Sequence, residues 1–515
     1  MEFVNQQSTK IQINIGLPGE DRMTTSTDRF AHYRNAFYID GRWQPAAVDD
    51  PYTLYEAATG DVLGAVSLGT KQDIDSAVAA ARQAFDEGIW SRTTAMDRAA
   101  TLRRFAAELD TRRGITADLV SRENGMPSII SGPSNTDIPV ALLNQYATML
   151  DTSPMEELRP SPRGATIVRK APVGVVAAIV PWNFPQFMAM AKIAPALAAG
   201  NTVVVKPSPE TALDSYLIAE AAAAAGLPPG VLNIIPAGRE AGAYLVAHPG
   251  VDKVSFTGST AAGRAIGEVC GRLVRRVTLE LGGKSAAIVL DDVDINVFAQ
   301  QLFSISFMNN SQTCVTHSRI LAPRERYAEI LEVVVGTANS LVVGNPLDPS
   351  VTCGPMATSV HRNRVMSHIA RAETDGARIV AGGRIPSSQP DGWFVEPTVF
   401  ADVDNASALA QHEVFGPVIA VIPYDTQEDA IGIANDSTYG LAGSVWTSDE
   451  IRGAEVARRI RTGTCGVNYY QVDFGAPFGG FKASGIGREF GPEGLDSFIE
   501  YQSIYVSAGH DPAAP

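Results

Sequence analysis

The sequence predicts an α/β protein built as two successive α/β units with a cleft between them. Three observations carry this. The chain has 515 residues, more than one compact core usually holds, so two or three domains are expected. From residue 173 onward, short apolar runs alternate with helical stretches across brief connections. That is the pattern of parallel strands joined by right-handed crossovers. The runs are continuously apolar, as in a sheet covered on both faces.

The elements follow in order. Residues 1–30 are polar, with Thr and Ser around Met23. They are expected to lie outside the fold, as a loose extension or ahead of an alternative start at Met23. Residues 71–150 read as helices: Ile74, Val78, Ala81 and Phe85 recur at helical spacing, and a further stretch runs from Arg98 to Leu109. Val175–Val180 is a buried-strand signal and Gln186–Ala199 a helix. Three strand–helix pairs follow: Thr202–Val205 with Ser215–Ala225, Val231–Ile235 with Glu240–Ala247, and Lys253–Phe256 with Thr260–Val269. The second unit, from about Ser285 to Phe481, opens with a strand over Ser285–Leu290 and a helix over Ile295–Met308. A helix over Arg326–Ala338 follows, while Gly344–Pro349 and Ala381–Gly392 are loop-like.

Composition narrows the function. The chain is 45% hydrophobic and 19% charged, with a formal net charge of -15. An acidic surface argues against nucleic acid or an anionic membrane as partner. Cys270, Cys314, Cys353 and Cys465 form no C-x-x-C pair, so neither a disulfide framework nor a metal site is expected, and a cytoplasmic setting fits. No apolar run spans a bilayer and no secretory signal is visible at the N-terminus.

Four places stand out for chemistry. Cys314 ends the stretch Asn309-Asn310-Ser311-Gln312-Thr313-Cys314, a polar setting ill suited to core packing, where a lone cysteine more often sits. Glu280 lies inside the apolar run Leu279-Glu280-Leu281. It reads either as half of a buried ion pair or as a base whose pKa burial raises. Asn183, in Pro181-Trp182-Asn183-Phe184-Pro185, follows the first strand of the parallel sheet, where open α/β sheets place ligands; an Asx turn is the structural alternative. Gly258 and Ser259 stand at a strand-to-helix turn. Such a turn suits a phosphate, although glycines there serve structure as often as binding.

Taken together the segments Pro181–Pro185, Lys206–Glu210, Phe256–Ser259, Glu280–Lys284, Gln312–Cys314, Glu413–Pro417 and Pro477–Lys482 resemble the aldehyde dehydrogenase superfamily, in its order and at its spacings. The resemblance covers about residues 35–505. It implies a Rossmann-like cofactor domain (31–149 and 171–282) and an α/β catalytic domain (283–483). It also implies a small β oligomerisation element (150–170 and 484–505) in a homodimer or homotetramer. It implies that Cys314 attacks an aldehyde as thiolate, that the Asn183 amide and the Cys314 N–H hold the oxyanion, and that Glu280 activates the water that releases the acid. NAD is the implied cofactor, with NADP the alternative. Its contacts would come from Trp182, Lys206, Pro209, Gly238, Gly242, Gly258, Ser259, Leu281, Glu413 and Phe415.

The chain departs from common family patterns at several positions. Where many NAD-preferring relatives carry a carboxylate, three residues after the lysine, it has Pro209, with Glu210 one further on. Thr313 and Val315 flank the cysteine. His317 is expected to be a surface or satisfied histidine rather than a partner of Cys314. Ala191 stands where some relatives carry a bulky aromatic. With Phe184, Phe187, Met188, Thr313, Val315 and Phe478 it suggests a roomy apolar pocket for a medium or large hydrophobic aldehyde. A CoA-acylating enzyme and a non-catalytic binding protein on the same fold are the alternatives; Glu280 argues against the first.

Overall fold

The computed structural model describes residues 33–507; the expectation for residues 1–30 lies outside them. The first parallel sheet forms as the apolar runs dictate. Val175–Ile179 pairs in parallel with Thr202–Lys206 on one side and Lys253–Thr257 on the other, and Leu232–Ile234 and Arg276–Glu280 extend it. Alternate residues enter opposite cores. Val176, Ala178, Val203 and Val205 pack under the helices Ala95–Asp110, Ile138–Thr152 and Pro185–Ala199. Val175, Ala177 and Val204 pack under Lys71–Asp86 and Arg239–Ala247. Burial on both faces is why these strands read as unbroken apolar runs.

Two antiparallel edges close this sheet. Ala36–Ile39 pairs with the Leu232–Ile234 strand, and Gly485–Ile486 pairs with Leu279 and Glu280. The four short strands Ala36–Ile39, Arg42–Pro45, Pro51–Tyr55 and Val62–Ser67 precede the first helix. Their mixed burial leaves a weak strand signal.

The second sheet has the order Arg378–Ala381, Thr398–Ala401, Val418–Tyr424, Arg319–Pro323, Ala286–Val289, Gly443–Trp446, Gly466–Val467 and is parallel except at its first pair. It too separates two cores. A third sheet joins Glu156–Ser161, Gly164–Pro172 and Ile499–Ser507. Gly485–Ile486 therefore belongs with the first sheet and not with Ile499–Ser507.

The helix expected over Ile295–Met308 ends at Leu302. Phe303–Phe307 widens to a π-helical turn, and a break follows at Asn309 and Asn310. A second π-helical turn occupies Pro133–Asp137. Both turns border the principal cavity, where such widened turns often occur. Among the described residues no helix is long and apolar enough to cross a membrane.

Candidate active site

Between the two large sheets lies a cavity of about 710 Å³. Cys314, Asn183 and Glu280 all line it. Each comes from a different local structure: Asn183 from the loop after Val175–Ile179, Glu280 from the last position of Arg276–Glu280, and Cys314 from the loop after the π-helical turn. The Asn183 side chain donates to the Gln312 carbonyl at 2.9 Å, tying it two residues from the cysteine. An amide carries two N–H bonds, so one is left for a ligand. Gly283 lets the Glu280 strand end against the Cys314 loop: a Cβ there would stand 2.3 Å from the Cys314 carbonyl oxygen.

Burial biases the two reactive groups of the site towards their neutral forms. Burial, with Glu413 and Glu280 adding to it, pushes the Cys314 thiol up to about 12. Burial also raises Glu280 well above the carboxylate range, reinforced by Glu489 and opposed by Lys192 and Arg488. Among the described residues neither Glu280 oxygen has a hydrogen-bond partner, and a buried unpaired carboxylate is costly unless protonated or given something to bind. Beside it Lys192, fully buried, reaches Glu489 and the Thr257 hydroxyl, both at 2.6 Å.

The remaining lining is mostly apolar. Phe187 stacks on Phe490 at 5.8 Å between centroids, and Phe474 meets both edge to face at 5.5 and 5.1 Å. Met188, Ile138, Ile305 and Val472 continue the wall. At the other end Gly258, Ser259 and Thr260 open the helix Thr260–Leu273, whose Ser259 cap accepts from the Ala262 N–H. An anion is favoured there.

A sequence model of the aldehyde dehydrogenase family matches residues 43–504. The chain belongs to that family. It is 48% identical over 470 residues to a geranial dehydrogenase from Castellaniella defragrans, covering 91% of this chain and 98% of that one. It is 39% identical to the human mitochondrial aldehyde dehydrogenase, over 92% of both chains. Its fold is similar to that of a Mycobacterium tuberculosis aldehyde dehydrogenase in complex with NAD+, with a TM-score of 0.90, 45% identity, and 93% and 99% of the two chains covered. It is similar also to a variant of aldehyde dehydrogenase C from Pseudomonas syringae in complex with NAD+ and octanal, with a TM-score of 0.89, 36% identity, and 94% and 99% covered.

For an aldehyde dehydrogenase the expected residues fall into three groups. Trp182, Phe184, Phe187, Met188, Gly258, Ser259, Leu281, Thr313, Val315, Glu413, Phe415 and Phe478 line the cavity with the three central residues. Lys206, Gly238 and Gly242 gather at the ends of two parallel strands, and Pro209 opens the short 3-10 turn that follows Lys206. Lys206 donates to the Ala237 carbonyl at 2.8 Å, and a Cβ on Gly242 would stand 3.3 Å from its chain. Ala191 belongs to neither: it is 1% exposed in the core under the helix. Phe187, one turn earlier, takes the cavity position and stacks on Phe490. His317 is not at the surface. It is fully buried against the Tyr470 ring at 4.9 Å, burial lowers it to about 4, and no bond joins it to Cys314.

Sequence reasoning missed Thr257, Lys192 and Glu489, and the aromatic wall of Phe474 and Phe490. Lys192 was open to detection. It is the only formal charge in the helix Pro185–Ala199, the same anomaly that marks Glu280. Glu413 was expected on a ribose. It lines the cavity half-buried, is raised to about 7 by burial, and accepts the Gly283 N–H at 2.9 Å.

Proposed function

We propose that the enzyme oxidises a medium or large apolar aldehyde to its carboxylic acid with NAD+, through a thioester on Cys314. The observation that carries this is the convergence of Cys314, the Asn183 amide and an unpartnered Glu280 on one largely apolar cavity. The Cys314 sulfur adds to the carbonyl carbon, its S–H bond breaking as the S–C bond forms and the proton passing to solvent water, while the carbonyl electron pair moves onto oxygen. The oxyanion is held by the free N–H of Asn183 and the Cys314 N–H, donors typically worth about 2.7–4 kcal/mol each. Bound NAD+ would accept the hydride from the former aldehyde carbon as its C–H bond breaks and the carbonyl re-forms, which leaves a thioester on Cys314. Glu280 then takes a proton from water; the hydroxide adds to the thioester carbon, the C–S bond breaks, the acid is released, and the proton held by Glu280 passes to the departing sulfur to restore the thiol. Its raised pKa suits a base working near neutrality, with the Lys192–Glu489 pair setting the field around it. A water-activating base favours hydrolysis over transfer to CoA.

The cofactor groove fits a dinucleotide. The helix terminus at Ser259 suits the pyrophosphate. Lys206, lowered to about 8 by burial and drawn back up by Glu210, suits the adenosine ribose. Glu210, hydrogen-bonded to Ser208, restores the negative field that Pro209 lacks and opposes a 2′-phosphate. Glu413 serves the nicotinamide ribose, with Phe415 near the ring. The substrate class rests on the aromatic wall, and the two relatives whose names carry geranial and octanal agree with it. Association as a homodimer or homotetramer would use the three-stranded sheet, where Tyr501 and Tyr505 are exposed. Measuring NADH and NADPH formation over an aldehyde panel tests the reading. Octanal or geranial with NAD+ should give the highest kcat/KM, and a preference for succinic semialdehyde or for NADP+ would refute it.

A further inference from the structure

The backbone before Cys314 is left-handed at three successive non-glycine residues: Asn309 at φ 53°, Asn310 at 57° and Ser311 at 57°. L side chains avoid this region, and a run of it persists only when its surroundings over-determine it. The surroundings here are amides. Asn310 donates to the carbonyls of Gly125 at 3.0 Å and Pro355 at 2.9 Å, and accepts the Gly354 N–H at 2.6 Å. Gln312 accepts the Ala357 N–H at 3.0 Å. Gly354 makes this approach feasible, since a Cβ there would lie 2.1 Å from the Gly125 oxygen.

The same network reaches the second half of the site. Asn309 donates to the Asn183 carbonyl at 3.0 Å. Asn124, the last residue of the helix Arg113–Asn124, donates to the carbonyls of Trp182 at 3.0 Å and Asn183 at 3.2 Å, and its own oxygen accepts the Met126 N–H at 3.0 Å. The Asn183 carbonyl thus takes two side-chain amides, one for each lone pair. Asn124 and Asn309 are fully buried and do not line the cavity, so they touch neither substrate nor cofactor.

We propose that Asn124 and Asn309 are positioning residues: by saturating the Asn183 carbonyl they fix the backbone that aims the Asn183 amide, in register with the loop that carries Cys314. This rests on the reading of Asn183 as the oxyanion donor. Two elements distant in sequence, a helix end and the nucleophile loop, meet on one carbonyl, so donor and nucleophile are set by one lattice and not independently. Misplacement by about 1 Å costs on the order of 100-fold in such sites.

A double-mutant cycle tests it. Asn183→Ala, Asn124→Asp and the double variant are compared in kcat/KM for octanal, alongside thermal melting and NAD+ affinity by fluorescence quenching. Asn124→Asp keeps the shape and loses the amide donor. Asn183→Ala is expected to lose about 100- to 1000-fold. Asn124→Asp alone should lose roughly 10- to 100-fold, in kcat rather than KM and with NAD+ affinity retained. In the Asn183→Ala background it should lose less than about threefold, the mark of coupled residues. A merely structural Asn124 would cost the same in both backgrounds, and that additivity overturns the inference while leaving the oxyanion reading intact. A wild-type rate in Asn183→Ala overturns both. Should Asn124→Asp not fold, Asn309→Ala, which frees the same carbonyl, is read by the same cycle.

Discussion

Two groups of side chains share the cavity around Cys314 and differ in kind. Phe187, Phe474, Phe478 and Phe490 form a wall of rings packed edge to face, stacked or, for Phe478 on Phe490, tilted. Glu280, Thr257 and the Lys192–Glu489 pair form a charged cluster, with Lys192 and Glu489 almost entirely cut off from water. Rings recognise bulk and shape without committing to a chemical group, since apolar burial is non-directional. Buried charges do the opposite: each is stable only with a defined partner or a defined proton. On the proposed reading the wall would govern which aldehyde enters, and the cluster what happens once it has reacted.

That division can be broken at the sulfur, where both groups meet. Cys314→Ala should lower NADH formation by roughly four orders of magnitude or more with every aldehyde, with NAD+ affinity retained in a binding assay. Substantial residual turnover would remove the thioester from the account. On the ring side, Phe187→Ala should cut kcat/KM for octanal by about 10- to 100-fold and for acetaldehyde by far less, as lost apolar contact does. An equal loss for both would mean that the wall serves the chemistry as well. On the charged side, Glu489→Gln removes a group that raises Glu280 and leaves Lys192 to lower it. The pKa of Glu280 falls, so the base is ionised at lower pH. The acid limb of the kcat–pH profile should move to lower pH, with the aldehyde preference unchanged. An upward shift would contradict the sign of the field described here.

The same contrast explains what could be read in the sequence. Runs such as Val175–Ile179 and Thr202–Lys206, buried on both faces, announce themselves because every position is apolar. The helix end at Leu302 did not, because Phe303, Ile305 and Phe307 continue the apolar run while the hydrogen bonding widens to a π-turn. Cys314 and Glu280 stood out in the sequence as groups in unexpected settings, and Asn183 by its place after the first parallel strand. Lys192 carries the same anomaly, but its meaning depends on Glu489, 297 residues away, a distance that only the folded chain removes. Ala191 misled because a small residue suggests space. In the fold that face of the helix is covered, and Phe187 fills the position that matters.

On the proposed mechanism a covalent acyl group forms on Cys314 and its release needs Glu280. The most direct measurement is intact-mass and peptide mass spectrometry of Glu280→Gln after mixing with NAD+ and octanal, alongside the NADH formed. The account predicts about one NADH per active site in a burst, slow turnover thereafter, and an octanoyl mass on the peptide containing Cys314. Steady turnover at the wild-type rate with no adduct, or an adduct on another residue, would contradict it.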